Sequence, residues 1–180
     1  MTITQQVIEA QKGSRAAFGA LYESMAGDLY RMALYTLGNP QDAEDAVAET
    51  FAEAWKGLKN LREPEAFRSW MFRILSFRCK RKIGRYVAQR REIDLDSYYE
   101  TAEEAAPETA TRHAELNEAL GTLTVEERSS VLLSVLEGYT LREIAAMLGL
   151  PQGTVSSKLS RSLHKLRKFL QEPDGKEGLS

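Results

Sequence analysis

Aromatic and basic side chains are interspersed in the segment FRSWMFRILSFRCKRKIGR, which begins at Phe67, and no acidic residue follows it until Glu92. Unpaired nucleic-acid bases stack on aromatic rings, while their phosphates pair with Arg and Lys. The segment therefore suits single-stranded nucleic acid, with Phe77 beside the basic run as the stacking residue. Trp70 and Ile74 are predicted to belong to the hydrophobic core instead.

A second candidate surface lies in the C-terminal segment TLREIAAMLGLPQGTVSSKLSRSLHKLRKFL. Ala145, Gly149 and Val155 have the spacing of two helices that meet at a tight turn, because a small residue permits close packing and glycine takes the left-handed conformation. An ordinary amphipathic hairpin with solvated charges is the alternative. The absence of acidic residues from Thr154 to Leu170, together with two capping signals, favours a helix-turn-helix.

The second helix of this motif has an apolar face and a polar face. The predicted buried stripe comprises Val155, Leu159, Leu163, Leu166 and Leu170. The opposite face carries Ser157, Ser160, Arg161, His164 and Lys168. In a helix-turn-helix the N-terminal residues of the second helix reach base edges, so the candidate base contacts are Gln152, Ser156, Ser157 and Ser160. The candidate phosphate contacts are Lys158, Arg161 and Arg142.

An acidic row, Asp45, Glu49 and Glu53, repeats at four-residue spacing in DAEDAVAETFAEAW. Like charges at this spacing cost a helix roughly a few tenths of a kcal/mol per pair, which a basic partner would offset. A solvated surface row is the alternative, and composition supports the two equally. The buried stripe of the same helix is predicted to comprise Ala43, Val47, Phe51, Ala54, Trp55 and Leu58.

Side chains suited to catalysis or metal binding are scarce. The chain has one cysteine, Cys79, and two histidines, His113 and His164, at no recognised metal-ligand spacing. The sequence contains no nucleophile with a paired base and no phosphate-binding glycine loop. We therefore expect no enzyme activity, no metal site and no cofactor.

Local signals place the candidate residues on helices, and the predicted fold class is all-α. Ser14 and the pair Asn39–Pro40 are predicted to begin helices, and Gly38 and Gly138 to end them. The predicted helices include Ala43 to Leu58 and Glu65 to about Ile83. Capping boxes are predicted at Thr124 with Glu127 and at Thr140 with Glu143.

The distribution of charge predicts two small helical domains joined by a flexible acidic linker. We expect a first domain over 1–91, the linker over 92–112, the helix-turn-helix domain over 113–171 and a disordered tail over 172–180. The 180 residues include 24 Lys and Arg against 26 Asp and Glu. The net charge of -2 is thus a cancellation between basic and acidic regions.

The N-terminal sequence MTITQQVIEAQKGSR lacks the basic start and apolar stretch of a signal peptide. No segment approaches the roughly 20 apolar residues of a membrane helix. We expect a cytoplasmic protein without membrane insertion.

The segments DAEDAVAETFAEAW, FRSWMFRI and GYTLREIAAMLGLPQGTVSSKLSRSLHKLRKFL resemble, in this order, bacterial RNA polymerase sigma factors of the extracytoplasmic-function (ECF) group. The resemblance covers nearly the whole chain. It implies that the first domain binds the β′ coiled coil of core RNA polymerase and opens the minus-ten element. It further implies that the second domain binds the β flap and reads the minus-thirty-five element, and that an anti-sigma factor holds the protein inactive.

The resemblance also assigns individual residues. The implied polymerase-binding residues are Asp42, Asp45, Glu49 and Glu53. Leu58 to Pro64 match the loop that accepts a flipped base, and the implied minus-ten contacts are Lys59, Asn60, Arg62, Phe67, Arg73, Phe77, Arg78, Lys80 and Arg81. The implied minus-thirty-five contacts are Arg142, Gln152, Thr154, Ser156, Ser157, Lys158, Ser160 and Arg161. Two residues depart from the family pattern, since Phe77 stands where many members carry Asn and Ser156 where Lys or Arg is common.

Two other classes of protein share part of this pattern. A stand-alone helix-turn-helix regulator would bind duplex DNA without polymerase, but it needs neither the acidic row nor the aromatic and basic helix. A sigma-like protein without promoter activity would titrate polymerase or an inhibitor, and the departures at Phe77 and Ser156 are compatible with it.

Overall fold

Every regular element within residues 1–89 and 107–171, the residues that the computed structural model describes, is helical. The predicted all-α class is confirmed. The chain divides into two units, Met1–Tyr99 and Glu100–Ser180. The predicted tail over 172–180 and the linker residues before 107 lie outside the described residues.

Residues 1–89 of the first unit form four α-helices: α1 (Ile3–Gln11), α2 (Arg15–Leu37), α3 (Pro40–Gly57) and α4 (Phe67–Gln89). Two 3-10 turns, Leu58–Asn60 and Pro64–Ala66, connect α3 to α4. Helix α2 packs against α1, α3 and α4, and α3 packs against α4. The fully buried side chains at the centre include Leu21, Met25, Leu29, Phe67, Met71, Phe72 and Leu75.

Side-chain caps set the helix starts in this unit as predicted. The Ser14 hydroxyl accepts a hydrogen bond from the Ala17 N–H at 3.2 Å, and the Asn39 side-chain oxygen accepts one from the Asp42 N–H at 3.0 Å. Gly38 ends α2 in the left-handed conformation, with φ 69°. These caps satisfy backbone groups that have no partner within the helix.

Two details of the first unit differ from the prediction. Helix α4 continues past Ile83 to Gln89. The helix runs through Gly84 because a single glycine costs a helix only about 1 kcal/mol. Trp55 is 38% exposed although it was assigned to the buried stripe of α3. Its ring packs against Phe18 at the edge of the α2–α3 contact, with 4.8 Å between ring centroids, so one side of the indole faces solvent.

The second unit contains α5 (Pro107–Gly121), α6 (Val125–Val135), α7 (Leu141–Leu148) and α8 (Gln152–Gln171). Helix α8 packs against the other three. Both predicted capping boxes form, at the starts of α6 and α7. Gly149, with φ 66°, ends α7 and makes the turn of the helix-turn-helix.

Two boundaries of this unit fall earlier than predicted. Helix α6 ends at Val135, and Gly138 takes its left-handed conformation, φ 70°, in the turn beyond. Helix α5 begins at Pro107, so residues 107–112 of the predicted linker are helical. Proline is compatible with the first turn of a helix because the N–H that it lacks has no partner there.

The buried stripe of α8 also differs from the prediction. Val155, Ser162 and Leu166 are buried, whereas Leu163 and Leu170 are 37% and 54% exposed. A helix with 3.6 residues per turn places residue 162 on the inward face and turns 163 away from it. The Ser162 hydroxyl donates to the Lys158 carbonyl at 2.6 Å, which satisfies this polar group inside the core.

Candidate nucleic-acid interfaces

The basic face of α4 presents an aromatic ring to solvent. Phe77 is 57% exposed, and Arg73, Lys80 and Arg81 are exposed on the same helix. Arg73, Phe77 and Lys80 follow one another at four- and three-residue steps, so they share one face of the helix. A planar apolar ring among cations is the arrangement that binds unpaired bases.

The other aromatic residues of α4 lie inward. Phe67 is fully buried, so no face of its ring is open to a base. The contact between Phe67 and the minus-ten element that the resemblance implies therefore does not fit the structure. Ile74 is buried as predicted. Trp70 is half-buried, and a Cβ at Gly57 would lie 3.3 Å from its ring, so the glycine permits this close packing.

The loop between α3 and α4 exposes polar and basic groups while its backbone is held from the inside. Lys59, Asn60 and Arg62 are exposed, whereas Leu58 is buried. The side-chain nitrogen Nε2 of Gln11 donates to the Leu58 carbonyl at 3.0 Å and to the Leu61 carbonyl at 2.8 Å. No local pattern in the sequence marks Gln11, because its partners lie 47 and 50 residues away.

The acidic row on α3 has basic partners on α4. Arg78 Nε donates to Glu53 Oε2 at 2.8 Å, and Arg78 Nη1 lies 3.7 Å from a Glu49 oxygen. Lys82 Nζ lies 3.7 Å from Glu49 and 3.9 Å from Asp45. Arg78, assigned from the resemblance to the minus-ten element, is therefore oriented toward the acidic row, because the carboxylates of α3 attract its guanidinium.

These ion pairs are partly solvated. The carboxylate side chains are between 42% and 62% exposed, while Arg78 and Lys82 are 24% and 17% exposed. Exposed pairs contribute about 0–1 kcal/mol each, so an external basic surface can replace them at small cost. Asp42, half-buried in the first turn of α3, lies where a negative charge favours the helix start.

Cys79 follows Arg78 on α4 and is fully buried. Burial raises the pKa of its thiol to about 12, and the nearby charge of Lys82 offsets part of this shift. The thiolate is the reactive form of cysteine, so burial keeps Cys79 in its less reactive thiol form within the core.

The start of α8 carries the exposed polar residues of the second unit. Gln152, Ser156, Ser157, Ser160 and Arg161 are exposed, and Thr154 is half-buried. Arg161 Nε donates to the Ser157 carbonyl at 3.3 Å, which holds the guanidinium stem along the helix. Arg142 is exposed on α7. In a helix-turn-helix the second helix lies in the major groove of DNA with its N-terminal residues at the base edges, and α7, the turn and α8 have this arrangement.

Lys158 differs from its neighbours on α8. Its Nζ lies 3.3 Å from a carboxylate oxygen of Glu126 on α6, and its side chain is 21% exposed. The phosphate contact at Lys158 stays a prediction, and a phosphate there would have to compete with Glu126 for the ammonium group. Lys165 similarly lies 3.6 Å from Glu127, whose side chain is almost fully buried.

The described residues contain no group of three or more His, Cys, Asp or Glu side chains that could hold a metal ion. Within the same residues, no helix is both long and apolar enough to span a membrane.

Residues 21–91 match the family model of Sigma-70 region 2, and residues 119–168 match that of Sigma-70, region 4. The chain is 32% identical over 159 residues to the ECF RNA polymerase sigma factor SigM of Mycobacterium tuberculosis, an alignment that covers 88% of this chain and 79% of SigM. The fold is similar to that of CnrH, solved in complex with the cytosolic domain of CnrY, with a TM-score of 0.74 at 24% identity over 96% of this chain and 99% of CnrH. It is also similar to the sigma factor RpoE of Bartonella quintana, solved with the anti-sigma factor NepR, with a TM-score of 0.72 at 24% identity over 87% of this chain and 98% of RpoE.

Proposed function

The chain belongs to the ECF group of sigma-70-family RNA polymerase sigma factors. From this we propose which of its surfaces bind the polymerase and which bind each promoter element. A sigma factor binds core RNA polymerase and directs it to promoters, and it is not an enzyme, since the polymerase carries out RNA synthesis. The stand-alone regulator is not favoured, because residues 21–91 match a polymerase-binding sigma region that such a regulator does not need.

The first unit binds the single-stranded DNA of the melted minus-ten element. Phe77 stacks on an unpaired base, and Arg73, Lys80 and Arg81 contact the adjacent phosphates. Lys59, Asn60 and Arg62 line the loop that accepts a flipped base. The exposed Phe77 ring among cations is the observation that carries this proposal, because a large apolar side chain 57% exposed has no role in the core of this unit.

The acidic row, together with Asp42, forms the contact with the β′ coiled coil of the polymerase. The row is compatible with this role because its carboxylates remain partly exposed although Arg78 and Lys82 pair with them. A basic surface on the polymerase would compete with Arg78 and Lys82 for the same oxygens.

The second unit reads the minus-thirty-five element and binds the β flap. Gln152, Ser156, Ser157 and Ser160 are the base contacts, with Thr154 beside them. Arg142 and Arg161 are the phosphate contacts. Ser156 removes a positive charge from a position that is basic in many family members, so base readout there depends on a hydroxyl group.

We propose that the minus-ten domain spans 1–91. The minus-thirty-five domain, predicted over 113–171, is proposed to include the start of α5 from Pro107. The polymerase places the site of action in the cytoplasm.

An anti-sigma factor is proposed as the regulator of this chain, as the family resemblance implies. The sigma factor RpoE of Bartonella quintana, which has the same fold, was solved with the anti-sigma factor NepR. Co-purification from cells should recover a protein that blocks association with core polymerase in a purified system. Free association with polymerase under every growth condition would contradict this proposal.

The promoter preference can be found with a pool of duplexes that carry two randomised segments upstream of a reporter sequence. Core polymerase is supplied with or without the chain, and the transcripts are sequenced. We expect a pair of conserved elements at fixed spacing to be enriched in the presence of the chain. Enrichment of a single element near the helix-turn-helix footprint, without transcription, would support a stand-alone regulator instead.

A further inference from the structure

Gln11, the last residue of α1, connects this helix to the loop between α3 and α4. Its Nε2 donates to the carbonyl oxygens of Leu58, at 3.0 Å, and Leu61, at 2.8 Å. A glutamine amide nitrogen carries two N–H donors, so both are used. One side chain thereby joins the beginning and the end of the Leu58–Asn60 turn.

The two carbonyl groups that Gln11 binds lie just beyond the regular hydrogen bonding of α3. The last carbonyls of a helix have no intrahelical donor, and α3 ends at Gly57, just before the turn. The Leu61 N–H also donates to the Leu58 carbonyl, at 3.1 Å. The Leu58 side chain is buried, whereas Lys59 and Asn60 between the two bonded carbonyls are exposed.

Helix α1 is a firm support for this contact. Thr2 and Gln5 form a capping box at its start. Val7 and Ala10 are buried against the rest of the unit, and α1 contacts both 3-10 turns of the loop. The helix precedes residue 21, where the match to Sigma-70 region 2 begins, so the family match does not cover Gln11.

We infer that Gln11 is a positioning residue for promoter opening, which holds the backbone of Leu58–Leu61 in the shape that accepts an unstacked base. This inference rests on the proposed function of the loop. Extruding a base has an unstacking cost. A loop whose backbone is ordered before the base arrives adds no further ordering cost at that step.

The test uses the complete chain bound to core polymerase and single-stranded oligonucleotides with the minus-ten sequence selected from the random pool. An abasic site is placed at each position in turn, and binding is followed by fluorescence anisotropy. For the wild type, loss of the captured base should weaken binding by about tenfold, as for other base–aromatic and pocket contacts.

The informative variants remove the donors of Gln11 at nearly constant side-chain length. We call the factor by which an abasic site weakens binding the abasic penalty, and the captured position is the one whose base the loop accepts. Gln11→Met and Gln11→Glu should reduce the abasic penalty at that position from about tenfold to about twofold, because two hydrogen bonds to the loop are lost. Gln6→Met on the same helix is the matched control and should keep the wild-type penalty. Thermal melting of each variant reports folding separately, and the polar variant Gln11→Glu keeps the test open if Gln11→Met folds poorly.

Each outcome has a distinct consequence. A wild-type abasic penalty in both Gln11 variants would overturn the inference and leave the proposed function intact, even if the variants melt at lower temperature. A wild-type complex with no abasic penalty at any position would overturn the assignment of the loop, and this inference with it.

Discussion

Arg161 and Lys158 lie close together on α8 but direct their charges differently. Arg161 is exposed, whereas the ammonium group of Lys158 lies 3.3 Å from Glu126. The resemblance assigns both residues to DNA, and only a three-dimensional contact distinguishes them. The distinction matters because an exposed cation at a helix-turn-helix surface releases counterions when it binds a phosphate.

Replacing Arg161 by alanine should lower the affinity of the polymerase complex for promoter duplexes of any sequence. The salt dependence of binding should lose about one unit of slope, since one phosphate contact is removed. Lys158→Ala is the matched control and should change the slope by much less. Equal slope changes for the two variants, or an Arg161 effect confined to one promoter position, would contradict this assignment.

The thiol of Cys79 reports how well the core excludes solvent and reagents. Burial raises the pKa of its thiol to about 12, so at pH 8 almost none of the folded protein carries a thiolate there. Alkylation by iodoacetamide, followed by mass spectrometry, should therefore be slow in the folded chain and fast in urea. Rapid labelling of the folded chain at pH 8 would show that the core around Cys79 opens readily.

At the scale of elements, ion pairs join α3 and α4 while leaving the acidic row partly exposed. Asp45, Glu49 and Glu53 on α3 face Arg78 and Lys82 on α4. The pairs relieve the repulsion within the acidic row when the chain is free. Because they are partly exposed, they do not prevent a larger basic surface from taking their place.

Reversing the charges of Asp45, Glu49 and Glu53 to lysine should weaken association with core polymerase far more than it destabilises the fold. The free energy of unfolding should fall by only about 1–3 kcal/mol, because a few exposed pairs are lost and like charges are introduced. Arg78→Gln with Lys82→Gln is the matched control, which breaks the same pairs but keeps the row. This control should show a similar loss of stability without a matching loss of association, measured by thermal melting and by polymerase pull-down. If both variants lose association in proportion to stability, the row is structural.

The sequence predicts the elements best where the cause is local. Ser14, Asn39, Thr124 and Thr140 cap their helices as predicted, because a cap and its partners lie within one turn. The last turns of α4 follow Gly84, a weak helix breaker, and the first turns of α5 lie in a segment whose acidic composition predicts a linker, so the sequence predicts neither. Ser162 was missed because a polar residue was not expected on the buried face of α8.

For the candidate site, the sequence predicts which residue types lie on the surface, but it does not predict which residues contact one another. Phe77, Arg73 and Arg161 are exposed where the sequence placed them. The burial of Phe67, the pairing of Arg78 with α3 and the bonds from Gln11 to the loop depend on residues distant in sequence. A pattern of periodicity and charge reports which face of a helix a residue occupies, but it does not report which neighbour that face meets.

At the scale of the whole molecule, the net charge of -2 conceals a division of surfaces. Basic groups on α4 and α8 suit DNA, while the acidic row on α3 suits a basic protein surface. Near-neutral net charge keeps long-range attraction to DNA weak, since non-specific affinity comes from the excess of positive charge. The two units therefore suit a factor that binds promoters firmly only when the polymerase is present.

The role of a promoter-specificity subunit is tested most directly by single-round run-off transcription from the selected promoter. Core polymerase is supplied with and without the chain, on the intact promoter and on versions with either element scrambled. We predict a full-length transcript only when the chain and both intact elements are present, together with weak binding of the promoter by the chain alone. Tight binding of the promoter by the chain alone, with no transcript when core polymerase is added, would contradict this role.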